Sequence, residues 1–163
     1  MRTPSQTVGP FFYFGLCERP TADLVSAGIR ISGRVLDGAG EPVPDAMVEI
    51  WQADERGEYR GDWGWARCGT DDEGRFSFTT VKPGPVDGQA PHVELLVFAR
   101  GLLKHLLTRI YFPDEADANE SDPVLSSVDA DDRPMLIATP DEDGYRFDVR
   151  LQGDDQTVFF AVV

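Results

Sequence analysis

Short runs in which apolar and polar residues alternate recur along this chain, and each is closed by glycine, proline or aspartate. Arg30–Leu36, Ala46–Gln52 and Arg75–Thr80 alternate, and Met135–Ala138, Tyr145–Leu151 and Thr157–Val162 read as three further strands. A period of two sends successive side chains to opposite faces, so each run gives one face to a core. Asp37–Asp45 (DGAGEPVPD), Asp71–Gly74 (DDEG) and Lys82–Pro85 (KPGP) between them carry the residues that tight turns require. Helical periodicity is nearly absent. Pro113–Asn119 allows one turn of helix, and Asp54–Gly69, with Tyr59, Trp63 and Trp65, reads as loop, as does Asp122–Arg133. With the strand pair described next, this makes about eight short strands, which predicts an all-β fold, a single β-sandwich. A length of 163 residues suits one domain with a real core.

The stretch Ala90–Phe112 (APHVELLVFARGLLKHLLTRIYF) organises the rest. It predicts two strands joined by a short link, the second running through His105–Phe112. On the first, His92, Glu94, Leu96 and Phe98 share one face while Val93, Leu95 and Val97 share the other. Both histidines of the chain, His92 and His105, lie here, and Arg100-Gly101 stands where the first strand ends. Polar residues two apart on one strand face are the arrangement a metal site on a sheet would use. In the run AMVEIWQ, Met47, Glu49 and Trp51 fall on one side and Val48 and Ile50 on the other.

Residues 1–28 are expected to form an extended N-terminal arm, ahead of a sandwich domain over 29–163. Thr3–Pro10 is punctuated by prolines and cannot be a helix. Phe11, Phe12, Tyr13 and Phe14 follow, and four consecutive aromatics should dock, either on the chain's own sheet or on a partner chain. Arg109 and the Trp63/Trp65 pair could also face a partner. Fifteen basic against 29 acidic residues give a net charge of −14, which argues against nucleic acid and anionic membrane surfaces as partners. The acidic stretches Asp114–Asp132 and Asp141–Asp143 read as solvated loops. Two cysteines, Cys17 and Cys68, and no signal-peptide pattern fit a reduced cytoplasmic protein, the thiols being structural.

Four segments taken in order, TPSQTVGPFF, GRVLDGAGEPVPDAMVEIWQAD, GEYRG with TDDEGRFSFTTVKPGP, and APHVELLVFARG…RIYF, resemble the intradiol ring-cleaving dioxygenases of the protocatechuate 3,4-dioxygenase type over nearly the whole chain. Within that family the resemblance is to the smaller of two homologous chains that assemble as αβ units. The iron-binding chains of the family hold ferric iron with two tyrosines and two histidines. By the resemblance, the first tyrosine falls on Tyr59, the second on Val86, and the histidines on His92 and Glu94. The arginine three residues before the histidine pair falls on Gln89. Two of the four ligands and the arginine are therefore missing, and Val86 offers no donor atom.

The resemblance thus implies a vestigial metal position at Tyr59, Val86, His92 and Glu94, with His92 hydrogen-bonded to Tyr59 or Glu94. It implies no catalytic residue in this chain. The Fe(3+) would belong to a homologous iron-binding β subunit, and the αβ units would oligomerise further. This chain would supply one wall of the pocket through Thr7, Gly9, Pro10 and Arg100, closing it around protocatechuate during cleavage by O2. Gly9 and Pro10 suit close approach to a flat ring, Thr7 offers a hydroxyl, and Arg100 a charge for a carboxylate. From the residues alone, Arg100 reads as a surface ion pair, and His105 has no assigned task. Two other readings are a self-sufficient metalloenzyme using Tyr59, His92 and Glu94, and a non-enzymatic transthyretin-like binding module.

Overall fold

The computed structural model describes residues 3–17 and 21–161. Two antiparallel-rich sheets face each other as a β-sandwich, in agreement with the expected fold class. One sheet contains β1 (Ile29–Leu36), β4 (Arg75–Thr80), β7 (Thr139–Asp141), β8 (Gly144–Arg146) and β9 (Val149–Arg150), in the order β4-β1-β8-β7 with β9 also on β1. The other contains β2 (Met47–Trp51), β3 (Trp65–Gly69), β5 (His92–Phe98) and β6 (Leu106–Tyr111), in the order β3-β2-β5-β6. Ile31 and Val35 of β1, Phe76 and Phe78 of β4, Val48 and Ile50 of β2 and Val93, Leu95 and Val97 of β5 interlock in one core. These are the inward positions that alternation assigns, and the expected faces of β2 and β5 are found.

A second, smaller cluster lies where Tyr111 meets Ala90, Leu125 and Leu136. Its polar centre is Asp122, which is fully buried. Its carboxylate accepts hydrogen bonds from the amides of Ala90 (2.8 Å), Val124 (2.9 Å) and Leu125 (2.7 Å) and from the Tyr111 hydroxyl (3.1 Å). Asp122 is thus the clasp between the loop before β5, the end of β6 and the segment that follows, whereas the sequence reading put it in a solvated loop. An aspartate before Pro123 that caps the next turn is the local signal for this.

Other differences have local causes. Trp65–Gly69 is a strand, not loop; its inward residues, Ala66 and Cys68, are small and give a weak apolar signal. Met135–Ala138 is not a strand: Arg133–Leu136 forms a turn of 3-10 helix, begun by Pro134, and only Ile137 bridges to Tyr111. Tyr145–Leu151 is interrupted at Phe147 and Asp148, separating β8 from β9. There Asp148 Oδ1 accepts the Arg34 amide at 3.0 Å in place of a ladder carbonyl. The Phe147 carbonyl comes so close to Gly33 that any Cβ would collide with it. Thr157–Val162 contributes one bridge, Leu107 to Phe160, and Val162 lies outside the described residues. The helical turn after β6 is α2 (Ala116–Ser121), and Leu125–Ser127 adds a 3-10 turn.

Residues 3–9 carry no regular secondary structure, and the chain then becomes helical as α1 (Pro10–Cys17). Proline suits a first helical turn because the amide it lacks would have no intrahelical partner there. Two of the four aromatics dock on the chain's own sheet. Phe12 packs against Phe98 (ring centroids 6.0 Å apart), and the Tyr13 hydroxyl donates to the Thr70 carbonyl at 2.9 Å, while Phe11 and Phe14 stay 87% and 58% exposed.

Replacing Asp122 by alanine removes the acceptor of four donors at once. At one to three kcal/mol for each donor left unpaired in the interior, a loss on the order of 3 kcal/mol or more is expected. Urea unfolding of Asp122→Ala against the parent chain measures it.

Candidate functional site

The residues singled out by sequence fall into two groups, at opposite ends of β5. At its C-terminal end, the Gly101 amide donates to Thr7 Oγ1 at 2.8 Å, tying the arm to the turn that carries Arg100. Gly9 is exposed, with open space where a Cβ would stand, and Pro10 begins α1. Arg100 is solvent-facing and forms an ion pair with Asp45, the pairing expected from the residues alone. Beside them a largely apolar cavity of about 450 Å³ is lined by Gln6, Val8, Phe98, Leu102, Leu103 and His105, among others. His105 lies against the Phe98 ring (5.3 Å). The structure therefore brings Thr7, Gly9 and Arg100 to one corner and gives His105 a place at its cavity.

At the N-terminal end of β5 lies the polar outer face. His92 pairs across the ladder with Tyr111, and Glu94 with Arg109 on one side and Trp51 on the other. Tyr59 stacks on Trp51, ring centroids 5.6 Å apart and planes 3° from parallel, and remains 44% exposed. Its loop is fastened by the buried Asp54, which accepts the amides of Arg56 (2.9 Å) and Glu58 (3.0 Å); these bonds hold the Asp54 carboxyl below its usual range. Val86 and Gln89 pair backbone to backbone around Asp87-Gly88, both at positive φ (50° and 78°), as an Asp-Gly hairpin turn requires.

His92 does not bond Tyr59 or Glu94. Its Nδ1 lies 2.7 Å from the Ala90 carbonyl oxygen and its ring faces Tyr111 at 5.8 Å. Being buried at the strand's first residue, it finds the nearest backbone acceptor. Burial, which disfavours the charged imidazolium, lowers its pKa. Glu94 is taken by Arg109, Nη2 to Oε1 at 3.3 Å. The sequence leaves Arg109 able to face a partner. It instead turns into this cluster, donating through Nη1 to Gln89 Oε1 at 2.6 Å and to the Tyr111 hydroxyl at 3.4 Å. Tyr111 is pushed up to about 12, chiefly by burial. Burial, then the negative charge of Glu94, raises Tyr59. Sequence reasoning missed Tyr111, although its register opposite His92 follows once β5 and β6 are paired.

A family model described as "Dioxygenase" matches residues 18–153. The chain is 43% identical to a protocatechuate 3,4-dioxygenase alpha chain of Burkholderia cepacia, covering 99% of this chain and 98% of the relative. It is also 33% identical to the beta chain of the same enzyme from that organism, over 79% of this chain and 66% of the relative. Among solved structures, the dioxygenase domain of a dioxygenase–carbohydrate-binding protein fusion from Streptomyces sp. SirexAA-E superposes with a TM-score of 0.65 at 26% identity, covering 93% and 99% of the two chains. The chain belongs to the intradiol dioxygenase family. Intradiol dioxygenases use iron, and the residues at this chain's corresponding position do not fit it. Val86 has no donor atom, and Glu94 is in an ion pair with Arg109. Among the described residues no three of His, Cys, Asp and Glu are grouped to hold a metal ion. Cys17 and Cys68 are free thiols, and burial moves the Cys68 pKa to about 12, which leaves it inert.

The lowered pKa of His92 sets a pH dependence. An unfolded chain takes up this proton near pH 6.5, while the folded chain resists it. Stability from His92 is therefore fully present above about pH 6.5 and is lost as pH falls through the lower folded value. Thermal unfolding at about pH 7.5 and pH 5 checks this: His92→Gln is expected to lose less Tm than the parent between those two values.

Proposed function

We propose that this chain is the α subunit of a protocatechuate 3,4-dioxygenase. It would share in the O2-dependent intradiol cleavage of protocatechuate to 3-carboxy-cis,cis-muconate without holding the iron itself. The observation that carries this reading is the separation of the two groups. From Glu94, the last residue of the chain's own iron-less position, to Phe98 is four strand steps of about 3.3 Å, so the Arg100 turn, with Thr7 bonded to it, lies roughly 13 Å or more beyond that position. Residues so placed cannot serve chemistry at that position, but they can serve a site in an adjoining chain.

In this reading the adjoining chain is a homologous β subunit holding Fe(3+), which supplies the metal chemistry when bound. The αβ units assemble further, in the cytoplasm. The contributions of this chain are positional. Gly9, with no side chain, lets the arm approach a flat aromatic ring, and Pro10 fixes the path into α1. The Thr7 hydroxyl, already accepting the Gly101 amide, locks the arm to the Arg100 turn. Arg100 supplies the positive charge in an otherwise acidic chain that a carboxylated substrate needs, with Asp45 holding its side chain in place. Covering the partner's site also excludes water, which strengthens every charge interaction inside it. The exposed Phe11 and Phe14 lie on the same arm, as an interface would have them.

The chain produced alone is expected to be colourless and inactive, and the pair co-produced with its β partner coloured and active in protocatechuate-dependent O2 uptake. Stoichiometric iron and activity in the lone chain would overturn the reading. Within the pair, Arg100→Ala is expected to lower kcat/KM by about tenfold to a hundredfold, the range of one lost charge-assisted contact, with iron per pair unchanged. Loss of iron in that variant would remove Arg100 from the pocket wall.

A further inference from the structure

The cavity of about 450 Å³ between the arm and the β5–β6 turn serves none of the roles described so far. Its volume is that of a small-molecule site, for which roughly 300–1,000 Å³ is usual. Its walls are largely apolar: Val8 from the arm, Phe98 from the end of β5, and Leu102 and Leu103 from the turn. Both sides are held in place. Thr7, between Gln6 and Val8, accepts the Gly101 amide at 2.8 Å. The Phe98 ring contacts Phe12 of α1 (6.0 Å) and His105 (5.3 Å), so two flat rings, Phe98 and His105, line the cavity together.

Its polar lining is Gln6, Lys104 and His105. In a chain with 29 acidic residues against 15 basic, no carboxylate lines it. The neighbouring Arg100 and Asp45 neutralise each other. Of the two lysines, Lys82 is paired with Asp114 and Glu115, whereas Lys104 is exposed and has no ion pair among the described residues. The lining therefore carries one unmatched positive charge, and His105 keeps at least one N–H to donate in either tautomer.

We propose that this cavity binds an aromatic carboxylate, with its ring against Phe98, His105 and the leucines and its carboxylate on the Lys104 ammonium. Burying the ring removes apolar surface from water, and the charged contact fixes its orientation. A compact oxyanion such as phosphate would leave the apolar walls bare. Protocatechuate is an aromatic carboxylate, so the cavity gathers the proposed substrate beside the wall that Thr7 and Arg100 form; that step rests on the α-subunit reading, while the binding itself does not.

Benzoate is the probe, since it has the ring and the carboxylate but not the paired hydroxyls of a catechol. It is titrated into the isotopically labelled full-length chain produced alone, followed by amide NMR, after circular dichroism has shown that each variant folds. Saturable shifts at Val8 and at Gly101 to Leu106 are expected. Benzamide, of the same shape without the charge, is expected to bind about tenfold more weakly, the size of one charge-assisted contact. Lys104→Met, which keeps the stem, is expected to weaken benzoate by a similar factor and leave benzamide unchanged. Val8→Trp, which fills the cavity from the arm, is expected to abolish both. Benzoate shifts that never saturate, that fall elsewhere, or that survive both substitutions unchanged overturn the proposal. Hexanoate, charged but ringless, is expected to bind more weakly; binding as tight as that of benzoate overturns the aromatic assignment. In the pair co-produced with the β partner, the difference made by Lys104→Met is expected to persist, and its loss there would mean that the partner chain fills the cavity, which also overturns the proposal. The lone-chain titrations need no β subunit, so they fail or succeed separately from the α-subunit assignment.

Discussion

Strand β5 is the constraint on which the rest depends. It is hydrogen-bonded on both edges, to β2 and β6, so its register cannot slip without breaking two ladders. Val93, Leu95 and Val97 are fully buried between the sheets, which forces His92, Glu94, Leu96 and Phe98 onto the outer face. The two ladders then dictate what each outer residue meets: Tyr111 opposite His92, Arg109 and Trp51 beside Glu94, and Met47 beside Phe98. No side-chain preference is needed to assemble the polar cluster, because the backbone pairing brings these groups together.

Two partly buried ion pairs show how this outer face tolerates charge. Glu94 with Arg109 is one. Glu49 on β2 is the other, receiving Arg67 Nε from β3 at 2.7 Å while that guanidinium also lies 4.8 Å from the Trp65 ring centre. In both places the register sets the glutamate directly opposite an arginine on the neighbouring strand.

The sandwich was legible because alternation and turn residues are local signals, and the inward faces of β1, β2, β4 and β5 follow from them directly. The ends of the chain were less so. The β8–β9 interruption depends on a carbonyl approaching Gly33 from a strand more than a hundred residues away, and Trp65–Gly69 hides its inward face behind Ala66 and Cys68. In the site, the position of Glu94 followed from its strand, but the role of Arg109 did not: an arginine fifteen residues away meets Glu94 only through the β5–β6 register. Asp122 was misread for the converse reason. Its neighbours in sequence are acidic and solvated, and only the folded chain shows that Tyr111 and three amides converge on it.

The same register separates structure from function along β5. Its first residues look into a cluster whose donors and acceptors are largely matched within the chain: His92 with Ala90, Glu94 with Arg109, Tyr111 with Asp122. Its last residues lead to a corner where matching is incomplete. Gly9 faces open space, Phe11 is exposed, Phe14 is exposed apart from its edge-on contact with Tyr13, and Arg100 pairs with Asp45 at the surface. Exposed groups at one end of a strand, opposite buried and paired ones at the other, are the arrangement that the proposed pocket-wall role would use.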